Sequence, residues 1–166
     1  MNGGYSRKIA FGGLLTALAI IFSYIEYLIP LSVGIPGIKL GLANIVVLFA
    51  LYNTKSTEAF SINIIRVVVV GVLFGNMTSI VFSLCGATLS FVMMYILHRF
   101  TSRHIIVVSV CGAIAHIIGQ LVAGIVWYPI KVLMYYGLFL LIAAFVTGLI
   151  IGILVNTLNT YYIRMH

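Results

Sequence analysis

Arg66 lies between Ile64-Ile65 and a run of four valines, an ionised side chain inside an apolar stretch. Charges in such a setting are costly unless paired, so each one is a candidate for function. Three roles fit Arg66: pairing with Glu58 or a helix end, snorkelling to the cytoplasmic interface, or binding an anion in a cavity. A second set lies further along. His116 and Gln120 are four residues apart, and Trp127 is eleven beyond His116. At about 100° per residue all three share one stripe of a helix. Ala123 and Gly124 leave room for a ligand against the backbone, and Lys131 follows at the outer mouth. The plainer reading is an interhelical hydrogen bond from His116 and a Trp at the membrane interface. Glu26, Lys39 and Asn44 bracket a Pro/Gly stretch at 30–37. Glu26 and Lys39 either pair across that loop or meet a ligand entering from outside. Lys39, Lys131 and His116 with aromatic walls suit a small amphiphile with an anionic end.

The patterns that would make this chain an enzyme do not occur. No Gly-rich loop ends in Lys-Ser/Thr, so the chain is expected to bind no ATP of its own. No G-x-S-x-G or H-E-x-x-H is present, and no catalytic residue is assigned. His116 has no second His or carboxylate at a helical spacing, and Cys85 and Cys111 have no paired spacing, so no metal site is expected. The only acids are Glu26 and Glu58, with no aspartate anywhere. That excludes the Asp-rich sites that hold magnesium on a prenyl diphosphate. No cofactor is expected on this chain.

These residues must be positioned by membrane helices. Of the 166 residues, 63% are hydrophobic and 7% charged, and the mean hydropathy is +1.26. A soluble domain typically has roughly 45–50% apolar and about 25% charged residues. The chain therefore reads as an all-α integral membrane protein, one transmembrane domain over residues 1–166. Its hydrophobic runs predict a six-helix bundle, with spans near 9–29, 38–52, 59–75, 78–97, 105–127 and 132–155. The second is short for a full crossing and must tilt or join the Pro/Gly stretch within the membrane. Arg7 and Lys8 before the first run raise the question of a secretory signal, but the run continues well past Ala17-Leu18-Ala19 and reads as a retained helix.

The net charge of +7 reports topology rather than a nucleic-acid partner. Arg7, Lys8, Lys55, Arg99, Arg103 and Arg164 fall on one side, and Lys39 and Lys131 on the other. The positive-inside bias then places both termini in the cytoplasm. Small residues four apart form packing seams in lipid. Gly71 and Gly75 make one, Ala144, Gly148 and Gly152 another, and Gly13 with Ala17 a third near the cytoplasm, where a partner subunit could dock. No repeat relates the two halves, which favours a subunit of something larger over a stand-alone transporter.

The string Pro36-Gly37-Ile38-Lys39-Leu40-Gly41-Leu42-Ala43-Asn44-Ile45-Val46, with Ser23-Tyr24-Ile25-Glu26, resembles the Gx transporter family. That family is often labelled heptaprenyl diphosphate synthase component I and is similar to the substrate-binding S components of energy-coupling factor (ECF) transporters. The resemblance implies a multi-pass S component in the bacterial plasma membrane that captures a nutrient from outside. Its first helix would pack on a transmembrane coupling subunit through Gly13 and Ala17, where S components typically carry two alanines. Two ATPase subunits would use the ATP. A membrane accessory of isoprenoid or quinone metabolism, or of flavin- and quinone-linked electron transfer, is the alternative the same family brings. The synthase label fits poorly, because a prenyl synthase needs acidic magnesium ligands.

Overall fold

The computed structural model describes residues 3–28, 39, 41–101 and 104–165. The Pro/Gly stretch at 30–37, the start of the expected second span and Arg103 lie outside the described residues. Those described form six helices and no strand: α1 Gly3–Leu28, α2 Asn44–Asn53, α3 Ser56–Phe74, α4 Met77–Phe100, α5 Ile105–Gly124 and α6 Ile130–Met165. All but α2 are long and apolar enough to cross a membrane. Helices are the expected answer in lipid, because each satisfies its own backbone hydrogen bonds.

Several boundaries differ from those the sequence predicts, α1 for instance opening at Gly3 rather than near residue 9, and three of them have a clear local reason. The second helix begins at Asn44 and runs ten residues, about 15 Å at 1.5 Å per residue. That is half of a hydrocarbon core of about 30 Å. Gly41 just ahead has φ +84°, a left-handed conformation that glycine adopts without steric cost and a helix cannot include. The fifth helix ends at Gly124 rather than Trp127. Tyr128 precedes Pro129, and a residue before proline is pushed out of the helical region. The chain closes there through a tight turn, with Ile125 N–H on Val122 O at 3.4 Å and Trp127 N–H on Gly124 O at 3.0 Å. The sixth helix extends ten residues beyond the expected 155, to Met165. Thr157 and Thr160 return their hydroxyls to the carbonyls of Ile153 and Asn156, so these polar residues do not interrupt it.

Packing follows the small residues. A Cβ on Gly119 would stand 2.6 Å from Cys85 O, and one on Gly152 would stand 2.8 Å from Ile106 Cα. Glycine at these positions is what lets α5 touch α4 and α6 backbone to backbone. Gly148 does the same against Val110 Cα, at 2.9 Å. Gly71 abuts the Ile80 side chain of α4. Gly13 and Ala17 are exposed, and a Cβ on Gly12 or Gly13 would meet nothing within 4 Å. One apolar core gathers Leu15, Leu48, Leu51, Phe91, Met94 and Val155. A smaller one joins Ile117 to Leu133 and Leu140 between α5 and α6. Large apolar side chains such as Met134, Leu138 and Ile142 face outward along α6, as a lipid-facing helix requires.

Candidate functional site

The site begins at Arg66, which α3 carries inward on the same face as Asn63, one turn before it. It is 4% exposed, and neither snorkelling nor Glu58 accounts for it. Arg66 Nε and Nη2 both donate to Asn63 Oδ1, at 3.1 and 2.8 Å. Nη2 also donates to Asn44 Oδ1 at 2.9 Å and Nη1 to Ser23 Oγ at 3.2 Å. The acceptors are themselves fixed: Asn63 Nδ2 donates to Ala87 O at 2.9 Å, and Asn44 Nδ2 to Ser90 Oγ at 3.3 Å. A fork held this way at four helices is preorganised and cannot swing.

Glu26 is buried one turn beyond Ser23 on α1. Its Oε1 accepts from the backbone N–H of Gly41, and from that of Leu42 at 3.3 Å. The carboxylate thus grips the turn that opens α2, rather than Lys39 across the loop. The left-handed Gly41 makes this possible by aiming successive amides at one oxygen. Lys39 stands ahead of that turn, half-buried, with its Nζ 5.9 Å from the Tyr27 ring centroid. Burial pulls its ammonium below the usual lysine range, while Glu26 works in the opposite direction.

His116 and Gln120, on adjacent turns of α5, are 3% and 0% exposed. Gln120 Nε2 meets His116 Nε2 at 3.1 Å, and Gln120 Oε1 accepts from the backbone N–H of Lys39 at 3.3 Å. The imidazole fits because two glycines flank it. A Cβ on Gly86 would stand 3.0 Å from His116 Cε1, and one on Gly41 would stand 3.4 Å from Cδ2. Ser23, Glu26, Lys39, Arg66, Ser83 and His116 line a cavity of about 10 Å³ together with Val67 and Val70. That is room for roughly one water. Two buried polar atoms on its lining residues, Ser83 Oγ and His116 Nδ1, have no hydrogen-bond partner among the described residues.

Of the residues singled out in the sequence, Glu26, Lys39, Asn44, Arg66, His116 and Gln120 meet in this one cluster. Trp127 and Lys131 do not. The turn after Gly124 takes Trp127 off the α5 stripe and sets its ring 5.6 Å from Phe82. Lys131 is exposed in the first turn of α6. Sequence reasoning missed Asn63, Ser83 and Ser90 altogether and gave Ser23 no role in a site. Only Asn63 left a signal, an amide three residues before a buried Arg on the same helix face. Among the described residues no group of three His, Cys, Asp or Glu could hold a metal ion. The cluster can therefore bind and orient a small polar group through hydrogen bonds and charge.

A family model described as heptaprenyl diphosphate synthase component I matches residues 15–158. No curated protein and no solved structure matches the chain.

Proposed function

We propose that this chain, which belongs to the heptaprenyl diphosphate synthase component I family, is the substrate-binding membrane subunit of an ATP-driven importer of the ECF type. It takes its ligand from the extracellular side and carries out no chemistry on it. The observation behind this reading is the small polar cavity at Arg66, Glu26, Lys39 and His116, with two buried atoms of its lining residues left unpartnered among the described residues. Burying this many polar groups in a membrane bundle is costly unless they act on something. The exposed Gly13 and Ala17 face of α1 is the docking surface for a transmembrane coupling subunit, and two ATPase subunits supply the energy. The protein resides in a bacterial plasma membrane, with both termini in the cytoplasm.

The test is co-purification. Tagged chain extracted mildly from its own membranes should bring down a coupling protein and ATP-hydrolysing activity. Gly13→Leu should lose both while melting at the unaltered temperature. Wild-type protein that never brings down ATPase activity contradicts the reading. The family description favours one other role, a membrane accessory of isoprenoid or quinone metabolism. In that case deleting the gene changes prenyl-quinone levels even when nutrients are abundant.

A further inference from the structure

The hydrogen-bond inventory of the cavity wall identifies the kind of group it takes. The backbone of Lys39 orients Gln120. Its Oε1 accepts from the backbone N–H of Lys39 at 3.3 Å, so its amide nitrogen is the atom 3.1 Å from His116 Nε2. An amide nitrogen only donates, so His116 Nε2 is an acceptor. An imidazolium would aim a second N–H at that nitrogen, so the ring is neutral and its proton sits on Nδ1. This Nδ1–H makes no hydrogen bond of ordinary geometry among the described residues, and neither does Ser83 Oγ, while the Gly86 backbone also acts on the imidazole. His116 and Ser83 are 3% and 7% exposed, and both line the cavity. Arg66 makes four hydrogen bonds to Asn63, Asn44 and Ser23, leaving one Nη1 hydrogen of its five unused among the described residues.

The wall therefore offers donors in excess. Its one carboxylate, Glu26, already accepts from two backbone amides. Charge points the same way: Arg66 and Lys39 stand against Glu26 alone among the described lining residues, an excess of one positive charge. An uncompensated charge in a low-dielectric interior favours a monoanionic guest over a neutral one, and a dianion would reverse the imbalance. The volume admits one small group and not the body of a ligand.

We infer that the cavity receives an oxygen of a terminal carboxylate on the ligand, held by His116 Nδ1–H, Ser83 Oγ–H and the spare Arg66 N–H, with Lys39 balancing its charge. The inference rests on the importer reading only for what the carboxylate belongs to. Gln120 is a positioning residue that sets the imidazole tautomer.

Butyrate is the probe, with butan-1-ol, butylammonium and chloride as comparisons, on the full chain in detergent. Trp127 is the chain's single tryptophan, and its ring lies 5.6 Å from Phe82, the neighbour of Ser83, so its fluorescence reports occupancy. Butyrate should bind saturably and at least about tenfold more tightly than each comparison, the scale of one charge-assisted hydrogen bond. Ser83→Ala and Lys39→Met should each weaken it about tenfold. Butanol or chloride binding as tightly as butyrate, or both variants binding butyrate normally, overturns the inference. Should a variant melt early, wild-type protein carrying ¹⁵N-histidine replaces it. Butyrate should then move a protonated-Nδ1 resonance, and an unmoved one overturns the inference too. Butyrate binding without any ATPase partner would sink the importer and leave this site standing. Partners without a preference for carboxylate would do the reverse.

Discussion

Arg66 shows how a membrane protein keeps a charge where lipid would reject it. Its four bonds go to neutral acceptors on α1, α2 and α3, so removing it strands several buried groups at once. Arg66→Leu should lower stability by about 3 kcal/mol, since each buried group left unpaired costs about 1–3 kcal/mol; thermal denaturation in detergent reads this. Arg66→Lys should recover less than half of the loss, because an ammonium cannot bridge Asn63 and Asn44 as the planar fork does. At Glu26, Gln preserves an acceptor for the Gly41 and Leu42 amides where Ala does not. Glu26→Ala should therefore melt lower than Glu26→Gln, and equal melting of the two would contradict the turn-gripping role. Ligand affinity should fall in His116→Ala and stay unchanged in Lys131→Ala, whose side chain is exposed on α6. Much of this site is legible in the sequence, because a charge, an imidazole and an amide inside apolar runs are conspicuous. The serines are not legible. A serine in a membrane helix can return its hydroxyl to its own backbone, so Ser83 and Ser90 look like any other small residue until the fold faces them inward.

At the scale of elements, glycine decides which helices may touch. Gly119 lets α5 lie against the Cys85 carbonyl of α4, and no side chain there can yield, because the obstructing atom is backbone. Gly119→Leu should be destabilising by about 1–3 kcal/mol or prevent folding, as overpacking does, with detergent melting again the measurement. Gly13→Leu should leave the bundle unchanged, since a Cβ there meets no atom of another element within 4 Å. Its melting temperature should stay where it is, so any lost assembly would report the outer face alone. Helix centres follow from hydropathy, whereas several ends do not, and three of these show why. The start of α2 depends on one left-handed glycine, the end of α5 on the residue before Pro129, and the length of α6 on threonines that bond back to it. Hydropathy averages over each of these local effects. Trp127 left the predicted stripe for that reason.

For the molecule as a whole, composition determines the class and the bundle determines which polar residues meet. Glu26, Asn44, Arg66 and His116 come from α1, α2, α3 and α5. No spacing rule joins residues so far apart in sequence, so their convergence was beyond sequence reasoning even where each residue was noticed. The proposed topology, with both ends of the chain in the cytoplasm, rests on the basic-residue bias. A reporter active only in the cytoplasm should therefore signal when fused after His166, and silence from a well-expressed fusion would reverse the topology. The chain has no aspartate, and the cavity gives the proposed binding role something to act through. A native mass spectrum of the protein taken gently from its own membranes tests that role most directly. The expected result is one copy of this chain carrying a small carboxylate-bearing ligand, in a complex with a coupling subunit and two ATPase subunits. The bare chain, with neither an added mass nor a partner, would contradict it.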